Sequence, residues 1–79
     1  MDFNQIERKL LTVLADEWDR SGPPGYVETT VIAARLNISI EEVKTAVRSL
    51  FVKGLADTDK VDIFAAYLTP EGYDLAKSA

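Results

Sequence analysis

Residues 29–54 read TTVIAARLNISIEEVKTAVRSLFVKG, and the punctuation inside this stretch decides what the chain can build. Val31, Ile32, Ala33, Ala34 and Leu36 make a helix of about two turns, which Thr29 or Thr30 can cap because a hydroxyl there accepts from an otherwise unpaired amide. Asn37 then suits the left-handed conformation that ends a helix, and Ile38 is placed to plug the corner. Ser39 and Glu42 have the spacing of a capping box, so a second helix starts at once. Ile40, Val43, Val47, Leu50 and Phe51 fall on one face of that helix. It closes at Gly54 behind Lys53, a cation in the favourable last turn. The stretch predicts two helices crossing through a tight turn.

Upstream, Asp2 and Gln5 also have capping-box spacing, and an amphipathic helix follows. Phe3, Ile6, Leu10, Leu14 and Trp18 recur at steps of three and four, while Leu11 and Val13 widen the apolar stripe to about 160°. A stripe that broad has two readings: all of it is intramolecular core, or one edge meets a second copy of the chain. Asp16, Glu17 and Asp19 crowd the last turn, where the helix dipole prefers cations, so Arg20 or solvent must offset them. The run Ser21-Gly22-Pro23-Pro24-Gly25 breaks the helix, and Tyr26-Val27-Glu28 can form a very short strand.

Downstream of Gly54 the apolar period shifts towards two. Leu55–Thr58 and Ile63–Leu68 are expected to pair as a hairpin, with residues 59–62 as the connection. Thr69 then caps a terminal helix with Pro70 at its first position, apolar surface from Tyr73, Leu75 and Ala76, and a weak point at Gly72. Leu10, Leu14, Ile32, Leu36, Val43, Val47, Leu50, Leu55 and Leu68 are expected to bury together.

Composition excludes whole chemistries. With 79 residues there is room for one domain, and with no cysteine and no histidine there is no usual zinc site, thiolate nucleophile, Ser-His dyad or disulfide framework. Nothing approaches the roughly 20 apolar residues of a membrane span, so the chain is expected to be cytoplasmic and to have no membrane partner. Asp57, Asp59 and Asp62 invite a calcium-loop reading, but the glycine would have to stand at Asp62 and the closing glutamate at Leu68. The chain is therefore expected to be no enzyme and to need no metal or cofactor. Net charge is −4, distributed as −2 over residues 1–27, +1 over 28–53 and −3 over 54–79, so only the two crossed helices are positive.

Helix, short helix, tight turn, longer helix, hairpin, terminal helix is an order that resembles a winged helix-turn-helix domain. Ile32-Ala33-Ala34-Arg35-Leu36-Asn37-Ile38-Ser39 is similar to the alanine-bearing first helix and turn of that motif. Val43 to Gly54, ending Ser49-Leu50-Phe51-Val52-Lys53-Gly54-Leu55, resembles its second helix and exit into the wing. Leu68-Thr69-Pro70-Glu71-Gly72 resembles the closing stretch of small transcriptional regulators of the multiple-antibiotic-resistance and phenolic-acid-decarboxylase repressor type. The resemblance implies an α+β, mainly α fold with a three-helix core, a two- to three-stranded wing and a short C-terminal helix. Its parts would be helix 1 at 1–20, the helix-turn-helix at 29–54, the wing hairpin at 55–69 and the terminal helix at 70–77, in one domain of residues 1–79.

Turned at 100° per residue, the second crossed helix presents Glu41, Thr45, Arg48 and Val52 opposite its buried stripe, flanked by Lys44 and Ser49. The resemblance implies that these residues face a DNA major groove. Arg48 and Lys44 would reach guanine edges or phosphates, Thr45 and Ser49 would hydrogen-bond, Glu41 would accept from a cytosine amino group, and Thr29, Thr30 and Ser39 would sit at helix N-termini beside phosphates. Lys60 is the one cation of the wing. The plainer reading leaves the threonines and Ser39 as caps and Lys44 as a solvated partner of Glu41. Against DNA stand Glu41 and Glu42 at the leading end of the helix and a wing of net charge −2. Two functions therefore remain: a DNA-binding module of a small transcriptional regulator, weak per copy and acting as a homodimer through helix 1, or a winged helix that binds another protein.

Overall fold

In the computed structural model, which describes residues 2–59 and 62–78, the elements run α1 (Gln5–Ser21), β1 (Val27–Glu28), α2 (Thr29–Leu36), α3 (Ile40–Val52), β2 (Ala56–Thr58), β3 (Ala65–Leu68) and α4 (Pro70–Ser78). The fold is α+β and mainly α: a winged helix-turn-helix with a small antiparallel sheet of order β1-β3-β2. The corner between α2 and α3 forms as its residues dictate. Asn37 takes the left-handed conformation (φ 56°, ψ 48°), the Ile38 amide reaches back to the Ala33 carbonyl, and Ser39 and Glu42 close a capping box. α3 ends in a Schellman motif, in which Leu55 N–H donates to the Leu50 carbonyl and Gly54 N–H to that of Phe51, with Gly54 at φ 77°.

Several local expectations give way to tertiary demands. The cap of α1 is Asn4 with Glu7, not Asp2 with Gln5, because Glu7 also has partners on α3. α2 is capped by neither threonine: Glu28 holds the N-cap position without a side-chain bond, and Thr29 is already inside the helix. Ile40 and Phe51 lie partly in solvent rather than on the buried face of α3, since the core meets only the narrower stripe of Val43, Ala46, Val47 and Leu50. The strands are shorter than the apolar runs that announce them. Ile63 adopts φ 52° and leaves the ladder, and Phe64 stands exposed ahead of β3.

The broad stripe of α1 is used up inside the chain. Leu10, Leu11, Val13, Leu14 and Ala15 are all buried, because α1 runs through the middle of the molecule and touches α2, α3, α4 and β3. The edge at Leu11 and Val13 that pointed to a second copy is covered by the chain itself. The remaining core residues are found as expected, save Leu36, which is only partly buried. Gly72 is not a weak point but a requirement: it is buried, and a Cβ there would collide with the Leu55 carbonyl oxygen. Thr69 caps α4 by accepting from Gly72 N–H, with Pro70 at the first position.

The acidic end of α1 finds its cations partly at a distance. Arg20 pairs with Glu17, whereas Asp19 accepts from Lys77 Nζ at 2.7 Å and from the Tyr73 hydroxyl, both on α4. The lysine first, then the phenol, hold the Asp19 carboxyl below its ordinary value, and the Tyr73 phenol is raised in return. Trp18 stacks on Tyr73 with ring centroids 4.5 Å apart, so an aromatic contact and a charged cluster join α4 to α1.

Candidate nucleic-acid interface

The outward face of α3 follows from what its inward face must do. Val43, Val47 and Leu50 are sealed in the core, so the residues opposite them stand in solvent: Glu41, Thr45, Arg48 and Val52 are all exposed, the last to 80%. Lys44 is half-buried beside them. Among the described residues neither Lys44 nor Arg48 forms an ion pair, so the expected Lys44–Glu41 pairing is not made. An open groove of about 350 Å³ runs along this helix, with Asn4 and Ile6 on one side and Glu41, Glu42, Thr45, Ala46 and Ser49 on the other.

Other predicted residues are withdrawn from the surface or already engaged. Thr29 is 2% exposed, and both its amide and its hydroxyl donate to the Phe64 carbonyl, at 2.8 and 3.0 Å. It ties α2 to the wing and has nothing left for a phosphate. Thr30, next along, is exposed. Ser39 accepts from Glu42 N–H and donates to the Glu42 carboxylate, at 3.1 and 3.0 Å, which is the plain capping role. Ser49 turns inward, its hydroxyl donating to Glu7 Oε2 at 2.6 Å. Lys60 lies outside the described residues.

The residue that sequence reasoning missed is Glu7. It is 4% exposed, yet its carboxylate is fully engaged: Oε1 accepts the Asn4 amide at 2.9 Å, and Oε2 accepts Ser49 and Lys53 Nζ, the latter at 2.9 Å. Burial pushes its pKa up, but hydrogen bonds from Ser49, the Asn4 backbone and Lys53, with the charge of Lys53, outweigh it and leave the carboxyl below its ordinary value. Ser49 and Lys53 are four residues apart, so the single acid grips the last turn of α3 and its C-cap from the start of α1. Lys53 also lies 4.9 Å from the Phe3 ring centroid. The signal was present in the sequence, since Phe3, Glu7, Leu10 and Leu14 share one stripe: a charge on an apolar face needs a buried partner.

The wing is acidic for reasons that are in part structural. Asp59 accepts the Phe64 amide and the Thr58 hydroxyl, at 3.0 and 3.2 Å, and so organises the hairpin end. Asp57 accepts Thr58 N–H and, at 3.2 Å, the Tyr67 hydroxyl. Among the described residues no three His, Cys, Asp or Glu side chains converge to hold a metal ion.

No family model matches the chain, and no curated protein matches it significantly. Solved structures do. A protein of Ralstonia eutropha JMP134, provisionally described as DNA-binding, superposes with a TM-score of 0.81 at 25% identity over 98% of this chain and 96% of its own. Two variants of Lactococcus lactis ZitR superpose with TM-scores of 0.78 and 0.77 at 20% identity, over 99% of this chain and 51% of theirs. The chain thus spans about half the length of ZitR, and what it has in common with ZitR is the fold.

Proposed function

We propose that the chain is a DNA-binding module of a small transcriptional-regulator-like protein, with α3 as its reading helix. The observation that carries this is the state of Arg48 and Lys44. Both stand on the second helix of the helix-turn-helix, and among the described residues neither is neutralised by an ion pair. The likeness to the Ralstonia eutropha protein adds support, because it extends over essentially all of both chains. Arg48 and Lys44 would reach guanine edges or phosphates, Thr45 would hydrogen-bond beside them, and Glu41 would accept from a cytosine amino group. Thr30 is the remaining candidate at the start of α2. The elements also support a place beside regulators of the multiple-antibiotic-resistance and phenolic-acid-decarboxylase repressor type.

Two cations per copy make a weak contact, so a useful site needs two copies on half-sites about one helical turn apart. Fluorescence polarisation with mixed-sequence duplexes at about 50 mM salt tests the reading. Binding that Arg48→Glu abolishes while the melting temperature holds supports it. A wild-type chain that leaves every duplex unbound at that salt overturns it.

A further inference from the structure

The outer face of the sheet carries a second surface, distinct from α3. Val27, Ala66, Leu68, Ala56 and Thr58 point into the core, and the pairing Val27↔Ala66 and Asp57↔Tyr67 fixes what alternates with them. Tyr26, just ahead of β1, and Glu28 on β1 share a face with Tyr67 on β3 and Asp57 on β2. The result is a row from the start of β1 across β3 to β2: Tyr26 stacks on Tyr67 with centroids 6.1 Å apart, and the Tyr67 hydroxyl donates to Asp57 Oδ2 at 3.2 Å. Tyr26 is 51% exposed, and Phe64, at the hairpin end of the same sheet, 50%.

Carboxylates flank these rings. Glu28 and Asp57 lie on the face, and Asp59 and Asp62 at the hairpin end beside it. Among the described residues none of the four is in an ion pair. The hydrogen bonds that hold Asp57 and Asp59 come from neutral groups: amides, the Thr58 hydroxyl and the Tyr67 phenol. Their orientation is therefore fixed by neutral donors, and among the described residues no cation pairs with them, an arrangement that disfavours nucleic acid and anionic membranes as occupants. An exposed aromatic row rimmed by uncompensated carboxylates is complementary to a guanidinium, which stacks flat on a ring and forks its donors into a carboxylate.

We infer that this face, centred on Tyr26, Tyr67, Glu28 and Asp57, docks a basic, arginine-bearing segment of a partner polypeptide. The assignment does not depend on α3 binding DNA. It accounts for a wing whose charge is wrong for a minor groove: the wing faces a protein.

An arginine hexapeptide titrated into the full ¹⁵N-labelled chain at about 150 mM salt tests it, because exposed nonspecific attraction is screened there. Amide shifts should centre on Tyr26, Glu28, Asp57 and Tyr67. Tyr26→Ser and Glu28→Gln should each weaken binding about three- to five-fold, the scale of one exposed cation–π or charged contact. Arg48→Glu should leave binding unchanged. Both altered side chains are exposed, and unchanged melting of either variant keeps the comparison valid if the other fails to fold. The inference is overturned by an absence of shifts at millimolar peptide, by shifts centred on Glu41 and Glu42 or on Asp16 and Glu17, or by variants that bind as wild type does. It is equally overturned if the row is covered by a second copy, seen as concentration-dependent sedimentation that Tyr26→Ser abolishes, or if a DNA duplex moves the same amides.

Discussion

Glu7 couples the first turn of α1 to the last turns of α3 with one carboxylate, and the coupling has a pH signature. Its folded-state pKa lies below the ordinary glutamate value, so the stability it contributes is fully present above that value and is lost as pH falls through the folded pKa. Glu7→Gln keeps the shape but leaves Lys53 and Ser49 facing a neutral amide. It should cost about 1–3 kcal/mol at pH 7. The gap to wild type in thermal melts should narrow as the buffer is taken below about pH 4.3. A gap that stays constant from pH 7 to pH 3 would mean that the carboxylate charge contributes nothing. Gly72 makes the opposite kind of demand, for the absence of atoms. Gly72→Ala, which raises helix propensity, should nonetheless destabilise by about 1–3 kcal/mol in urea melts, because α4 must retreat from Leu55.

At the scale of elements, α3 is held by an apolar stripe on one side and by the Glu7 clasp on its flank, and the remaining surface is free to bind. Leu50 is fully buried at the C-terminal end of that stripe. Leu50→Ala should therefore lose about 2–5 kcal/mol, a large part of the stability of so small a domain, and a wild-type melting temperature would contradict this packing of α3. α4 is docked differently. Its ion pair with Asp19 is exposed and screened by solvent, so Lys77→Ala should leave the thermal melt close to that of wild type. Tyr73→Ala removes the stack on Trp18 and should show as faster hydrogen exchange in residues 70–78 before any change in α3.

For the whole molecule, the net charge is acidic and the unpaired cations are few. The chain carries −4, and among the described residues the unpaired cations Lys44 and Arg48 stand on α3, beyond Glu41 and Glu42 of its first turn, while Glu28 and Asp57 stand unpaired on the sheet. An acidic molecule with two reading cations should bind duplex DNA with a shallow salt dependence. The slope of log affinity against log salt should be near −2 per copy, and near −4 if two copies bind together. Sedimentation at the same protein concentration separates the two cases. With Leu11 and Val13 covered, a dimer would have to use a surface other than the apolar edge of α1.

The amino-acid sequence by itself determined the corner at Asn37–Ser39, the Gly54 stop, the order of the elements and nearly all of the core. Each of these rests on interactions within a few residues, or on a periodicity that any helix or strand must obey. Only the tertiary structure decided which polar groups remain available. Ser49 and Lys53 meet Glu7 across 42 and 46 residues, and Thr29 meets Phe64 across 35, distances at which spacing carries no information. The width of a buried stripe was also settled there. α1 is buried on several sides and α3 on one because of where each packs, and that placement leaves Arg48 to solvent while it takes Ser49 inside.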